Sequence, residues 1–167
     1  PAGRDGDGRR RPRNKARPMN PLAVREGMLP AKALPDLFRL TREAGFDGLE
    51  LSGSRLIEHG DELKRLRAEH GVRVTSAGAG QGGNGVLLSP DPEERARAAA
   101  FLIRALEAAA DQQAFGILFV PIFGAAKLTA VPGQDLRARE LDLLVEGIAK
   151  PSERARAKTW VRVWAML

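Results

Sequence analysis

The 167-residue sequence predicts an α/β protein built as a parallel βα-repeat. Three observations carry that prediction. Strand-like runs begin near residues 21, 46, 72, 115 and 159, so successive starts lie 25 to 44 residues apart, the spacing of a strand-plus-helix unit. The intervening segments carry helix-period apolar patterns with start and stop signals. The run "FGILFVPIF" (115–123) is continuously apolar, as expected of a parallel strand covered on both faces. Pattern alone leaves an open sheet and a barrel both standing. A complete eight-fold barrel takes about 200 residues or more, so this length holds roughly half of one.

The opening segment, "PAGRDGDGRRRPRNKARP" (1–18), has no apolar periodicity and is expected to be disordered, because it cannot bury enough surface to offset its chain entropy. Met19, where ordered patterning begins, is read as the natural start. "PLAVR" (21–25) reads as the first strand, and residues 35–44 as a helix with Pro35 in its first turn and Gly45 as a left-handed stop. "FDGLEL" (46–51) is the second strand. "DELKRLRAEHG" (61–71) is a helix with Asp61 as cap and Gly71 as stop, followed by the strand "VRVTSA" (72–77). The next helix has the best-formed start: Asp91 as cap, Pro92 at the first helical position, Glu94 three residues after the cap. It runs to about residue 112 and leads into the strand at 115–123. Residues 135–149 form an amphipathic helix with Leu141, Leu144, Val145 and Ile148 on one stripe, and "TWVRVWAML" (159–167) reads as a fifth strand or a non-native tail.

Composition bounds the function. A hydrophobic fraction of 43% supports a core, and the absence of cysteine excludes disulfides and thiolate metal sites. No apolar run approaches the roughly 20 residues that span a bilayer, and no apolar signal segment opens the chain, so a cytoplasmic, non-membrane protein is expected. The net charge of +6 suggests nucleic acid until it is located. Residues 1–18 hold seven basic and two acidic side chains, and residues 150–167 hold five and one. Residues 19–149 hold 15 and 18, so the body is mildly acidic and nucleic acid is not the expected partner.

Among candidate functional residues, Glu50 stands out. Along "FDGLEL", Leu49 and Leu51 share one face, and Gly48 and Glu50 the other. With helices packed on the leucines, Glu50 points to the inside near the carboxyl end of its strand, where such folds build sites. A structural carboxylate bonded to a neighbouring strand is the competing reading. His59, in a loop after the second strand beside Glu58, Asp61 and Glu62, is a second substrate-binding candidate; His70, in the last turn of a helix, is read as structural. No metal-ligand spacing appears. "GAGQGGNG" (78–85) contains G-x-G-x-x-G, but its helix begins only after Asp91, so a βα-loop is favoured over a dinucleotide turn. Trp160 and Trp164 read as packing or as a partner anchor.

"VREGML", "REAGFDGLEL", "ELKRLRAEHGVRVTS", "LLSPDPEERARAAAFLIRALEAAA" and "FGILFVPIFG" occur in that order over residues 22–149. Together they resemble the N-terminal half of the sugar phosphate isomerase/epimerase family, in the xylose isomerase-like barrel superfamily that also holds endonuclease-IV-type repair enzymes. The resemblance implies a partial (βα)8 TIM barrel of about four to five βα units over residues 19–149. It also implies a sugar or sugar-phosphate substrate and a divalent metal (Mn, Mg, Co or Zn) at the carboxyl ends of the strands. Two carboxylates would then shift a proton next to the sugar carbonyl. The family's first metal-binding glutamate lies in a Glu-Pro-x-Asn motif ending the fifth strand. Here that strand reads "VRVWAML", and the third, "VRVTSAG", lacks the histidine many members carry. The metal ligands are therefore expected to be absent, and the chain inactive alone and prone to self-associate through its sheet edges. Glu50 matches the family's site-facing second-strand glutamate. Two rival readings are a small nucleic-acid-binding module using its basic tails, and an open-sheet protein holding a phosphorylated ligand at Gly78–Gly85.

Overall fold

The computed structural model describes residues 21–79, 85–121, 128–157 and 162–165. The basic segment 1–18, the interior of the glycine-rich loop at 80–84, and Trp160 lie outside the described residues. Five strands are present among the described residues: β1 (Ala23–Arg25), β2 (Gly48–Ser52), β3 (Arg73–Ala79), β4 (Gly116–Phe119) and β5 (Arg162–Ala165). They form one sheet in the order β1-β2-β3-β4-β5, and every neighbouring pair is parallel. The order never reverses. Parallel crossovers share one hand, so an unreversed order stacks all the helices on one face and leaves the other face to curl inward as a barrel wall. A doubly wound sheet, with the switch point that nucleotide binding uses, would reverse.

The helices are α1 (Leu34–Glu43), α2 (Gly53–Glu58), α3 (Gly60–His70), α4 (Pro92–Asp111) and α5 (Leu136–Ala157), and a 3-10 turn at Glu26–Met28 follows β1. α1 packs on α3, α2 on α4, and α4 on α5. The core lies between this layer and the sheet. Leu49, Leu51, Val74, Ala77, Ile117 and Phe119 face the helices, which answer with Leu37, Phe38, Leu63, Leu66, Leu102 and Ala105. Fully burying a side chain such as Phe38 or Leu37 contributes about 1.5–3 kcal/mol, and this layer is where the fold gains most of its stability.

The helix punctuation follows the sequence in most places. Gly45 and Gly71 sit at φ +80° and +66°, the left-handed stops expected of them. Asp91 accepts the Glu93 amide at 2.9 Å and caps α4, with Pro92 in its first turn. Three expectations are corrected. The segment after β2 is not loop but the six-residue α2, capped by Ser52. The following helix starts at Gly60 with His59 at its N-cap, not at Asp61. The last helix does not end at residue 149 but continues through a buried Pro151 to Ala157.

One irregularity matters for the site. Leu49 pairs with Val74, but the next residue, Glu50, pairs with Ser76, so β3 carries an extra residue at Thr75. This bulge puts two consecutive β3 side chains, Thr75 and Ser76, on the inner face, and returns Ala77 and Ala79 to the helix side. Gly48 makes room for it: a Cβ there would lie 2.3 Å from the Thr75 methyl. Among the described residues, no helix is long and apolar enough to cross a membrane.

Candidate functional site

β1 and β2 end on the same side of the sheet and deliver Arg25 and Glu50 to its inner face in register, Arg25 opposite Glu50. Arg25 Nε lies 3.4 Å from Glu50 Oε1, and the Ser76 hydroxyl donates to Glu50 Oε2 at 2.9 Å. Both oxygens are thus held by donors from the flanking strands. The Glu50 side chain is 22% exposed and the Arg25 side chain 70%. The carboxylate is consequently the fixed member of the pair, while the guanidinium reaches it from the rim.

Beside this pair lies a second acid that sequence reasoning did not single out. Glu26, in the 3-10 turn after β1, accepts the Ser52 amide at 2.7 Å through Oε1 and meets Arg55 Nε at 2.9 Å through Oε2. The Glu26 and Arg55 side chains are 19% and 27% exposed, so the pair is shielded well beyond an ordinary surface ion pair, which is worth about 0–1 kcal/mol. Glu26 therefore ties the β1 loop to the start of α2. The signal was available: an acid immediately after the strand in "VREGM", at the level of the carboxyl ends.

These residues line one concavity of about 910 Å³ at the carboxyl ends of β1–β4. Its floor includes Glu50, Ser52, Gly78 and Leu118, and its rim Arg25, Glu26, Met28, Lys32 and Arg55. Met28 is 76% exposed and gives the mouth an apolar edge. The structure does not bring His59 to this concavity. His59 sits at the α2–α3 joint with Nδ1 3.3 Å from Glu62 Oε2, and lines two other hollows of about 550 and 420 Å³. His70 packs its ring 6.3 Å from Phe38, and its carbonyl accepts Arg42 at 2.6 Å. Among the described residues, no three His, Cys, Asp or Glu side chains gather as a metal-binding set. Without a third such side chain beside Glu26 and Glu50, the described donor set does not fit a divalent metal.

Comparison with curated proteins gives no match. Solved structures do match in fold. 3-Keto-D-glucoside 4-epimerase YcjR from E. coli superposes with a TM-score of 0.73 at 22% identity, covering 86% of this chain and 54% of that one. D-psicose 3-epimerase from Clostridium cellulolyticum H10, solved with D-tagatose, gives 0.69 at 21% identity, covering 86% and 51%. The IolI protein with a bound zinc atom gives 0.65 at 13% identity, covering 87% and 51%. The chain thus spans about half the length of the structures it resembles. The family described as xylose isomerase-like TIM barrel matches residues 38–163. Matched over those residues and carrying an unreversed parallel sheet, this chain belongs to the xylose isomerase-like TIM barrel family.

Proposed function

We propose that this chain supplies a substrate-binding wall of a sugar or sugar-phosphate isomerase/epimerase, with Glu50 as its pocket carboxylate. The observation that carries the reading is the inner-face placement of Glu50 at the carboxyl end of β2, held by Arg25 and Ser76 and opening on the 910 Å³ concavity. Reactions of this class shift a proton between carbons next to a sugar carbonyl. They need acceptors that hold the sugar hydroxyls in one orientation while that proton moves. The Ser76 hydroxyl donates to one Glu50 oxygen and the Arg25 guanidinium pairs with the other, which fixes the rotamer. The remaining lone pairs are free to accept hydroxyl hydrogens from a ligand in the hollow. Met28 offers an apolar edge to the carbon face of the same ligand.

Support also comes from the fold neighbours, which include enzymes crystallised with D-fructose, D-tagatose and D-allulose. A divalent metal, when bound in such a barrel, polarises sugar oxygens. The described residues do not supply its ligands, so nothing here is routed through it. A cytoplasmic setting and association through the terminal strands β1 and β5 belong to the same proposal.

The test is saturation-transfer NMR of D-fructose and D-psicose with the purified chain. Both sugars should receive saturation, and Glu50→Gln should weaken binding about tenfold, the value of one charge-assisted hydrogen bond. Glu69→Gln, an exposed change on α3, should leave binding as it was. Equal binding by wild type and Glu50→Gln would remove Glu50 from the pocket.

A further inference from the structure

Gly78 lies inside β3 with no structural reason to be glycine. Its φ is outside the left-handed region that Gly45 and Gly71 occupy at their helix stops. Nor is room needed for a neighbour, as it is at Gly48. A Cβ built on Gly78 would meet no atom within 4 Å. A glycine inside a strand costs stability relative to alanine, because the unfolded chain keeps more freedom and no side chain packs. What remains is the other use of a strand glycine, close approach of a ligand to the backbone.

The surroundings of Gly78 fit that use. It pairs with Ser52 of β2 on one side and with Leu118 of β4 on the other, and all three line the 910 Å³ concavity. Ser52 and Leu118 project side chains into this row, and Gly78 between them projects none. The row therefore has a slot floored by the β3 backbone, with a polar edge on the β2 side and an apolar edge on the β4 side. Glu50 extends the polar edge, with the Ser76 hydroxyl bonded to it at 2.9 Å. The Ser52 oxygen accepts the Arg55 amide at 3.4 Å, which leaves its hydroxyl proton for a ligand acceptor. A sugar ring carries C–H bonds on its faces and hydroxyls around its edge, so it matches both sides of such a slot.

We propose that Gly78 is a specificity-determining residue whose missing side chain lets a ketose ring lie against the β3 backbone. The ring's hydroxyls then meet Glu50 and Ser52, and its carbon face meets Leu118. The inference rests on the reading of the Glu50 hollow as a sugar site. A side chain at position 78 would fill the slot without disturbing any protein neighbour. Stability and binding should consequently move in opposite directions.

The experiment compares wild type, Gly78→Ala, Gly78→Val and Glu50→Gln by thermal unfolding and by NMR titration with D-psicose and D-fructose. Gly78→Ala should raise Tm by about 1–3 °C, since alanine removes freedom from the unfolded chain at a backbone geometry it tolerates. The same change should weaken both ketoses about tenfold, the effect of one methyl group forced into an occupied space. Gly78→Val, with a β-branched residue suited to a strand, should keep the fold and lose binding altogether.

Wild-type affinity in both Gly78 variants, with Glu50→Gln still weakening binding, would overturn the slot and leave the sugar site intact. A lowered Tm in both Gly78 variants would show that the glycine serves the fold, and would also overturn the inference. Weakening by the Gly78 variants with none from Glu50→Gln would uphold the slot and overturn Glu50 as the pocket carboxylate. No binding of either ketose by wild type would overturn both.

Discussion

Thr75 sits on the inner face with its hydroxyl oxygen buried and without a hydrogen-bond partner among the described residues. Leaving such a group unsatisfied costs about 1–3 kcal/mol, and an apolar group of the same shape avoids that cost. Thr75→Val should therefore raise unfolding stability by about 1 kcal/mol in a urea titration. Unchanged or lowered stability would show that the hydroxyl finds a partner in solution. The same neighbourhood shows why only part of the site was legible. Glu50 could be assigned from five residues of alternation, because β2 itself is regular. Its partner Ser76 could not, because strict alternation along "VRVTSA" puts Ser76 on the helix side, and only the bulge at Thr75 brings it back. Glu26 lies in a 3-10 turn with no period, so its only sequence signal is an acid directly after the first strand. His59 looked like an active-face loop residue, since nothing in "GSRLIEHG" announces the six-residue α2 that ends at it.

α4 was the most legible element because its start is local chemistry: a side-chain cap, a proline in the first turn, and acids where the helix dipole favours them. Asp91→Ala should lower stability by about 1 kcal/mol by thermal or urea unfolding, the usual value of a lost cap, since the Glu93 amide loses its acceptor. A change within error would mean that the neighbouring Ser89–Glu94 contact holds the turn unaided. α2 escaped notice for the opposite reason. It is six residues long, opens with Gly53, and buries one large side chain, Leu56, so no period develops. Gly53 is nonetheless apt there, because a Cβ would lie 3.1 Å from the Ala105 side chain, and α2 packs closely on α4. α5 passes through Pro151, a residue that normally ends a helix. Tertiary burial of that ring holds the helix past it, and burial is what a local reading does not see.

Across the whole molecule, strand order distinguishes the barrel from the open sheet, and order is set by long-range pairing that no window of sequence contains. The parallel βα class was readable; the barrel rested on the family resemblance until the order was in hand. In this sheet β1 and β5 are the terminal strands, and the inner face between them carries Leu118 beside the polar row of Glu50 and Ser76. Among the described residues neither terminal strand has an outer neighbour, and an unpaired parallel edge invites pairing with another chain. Sedimentation velocity should therefore show a mass rising above the 18.0 kDa monomer across about two decades of loading concentration. A single monomeric boundary throughout would show that the edges are protected. Finally, the space missing at Gly48 and the residue added at Thr75 are two halves of one arrangement. Across an alignment of relatives, the two positions should therefore vary together. Where a side chain replaces the glycine, the strand opposite should be one residue shorter. A lineage that changed only one would either overfill the barrel wall or turn every later side chain of β3 to the wrong face.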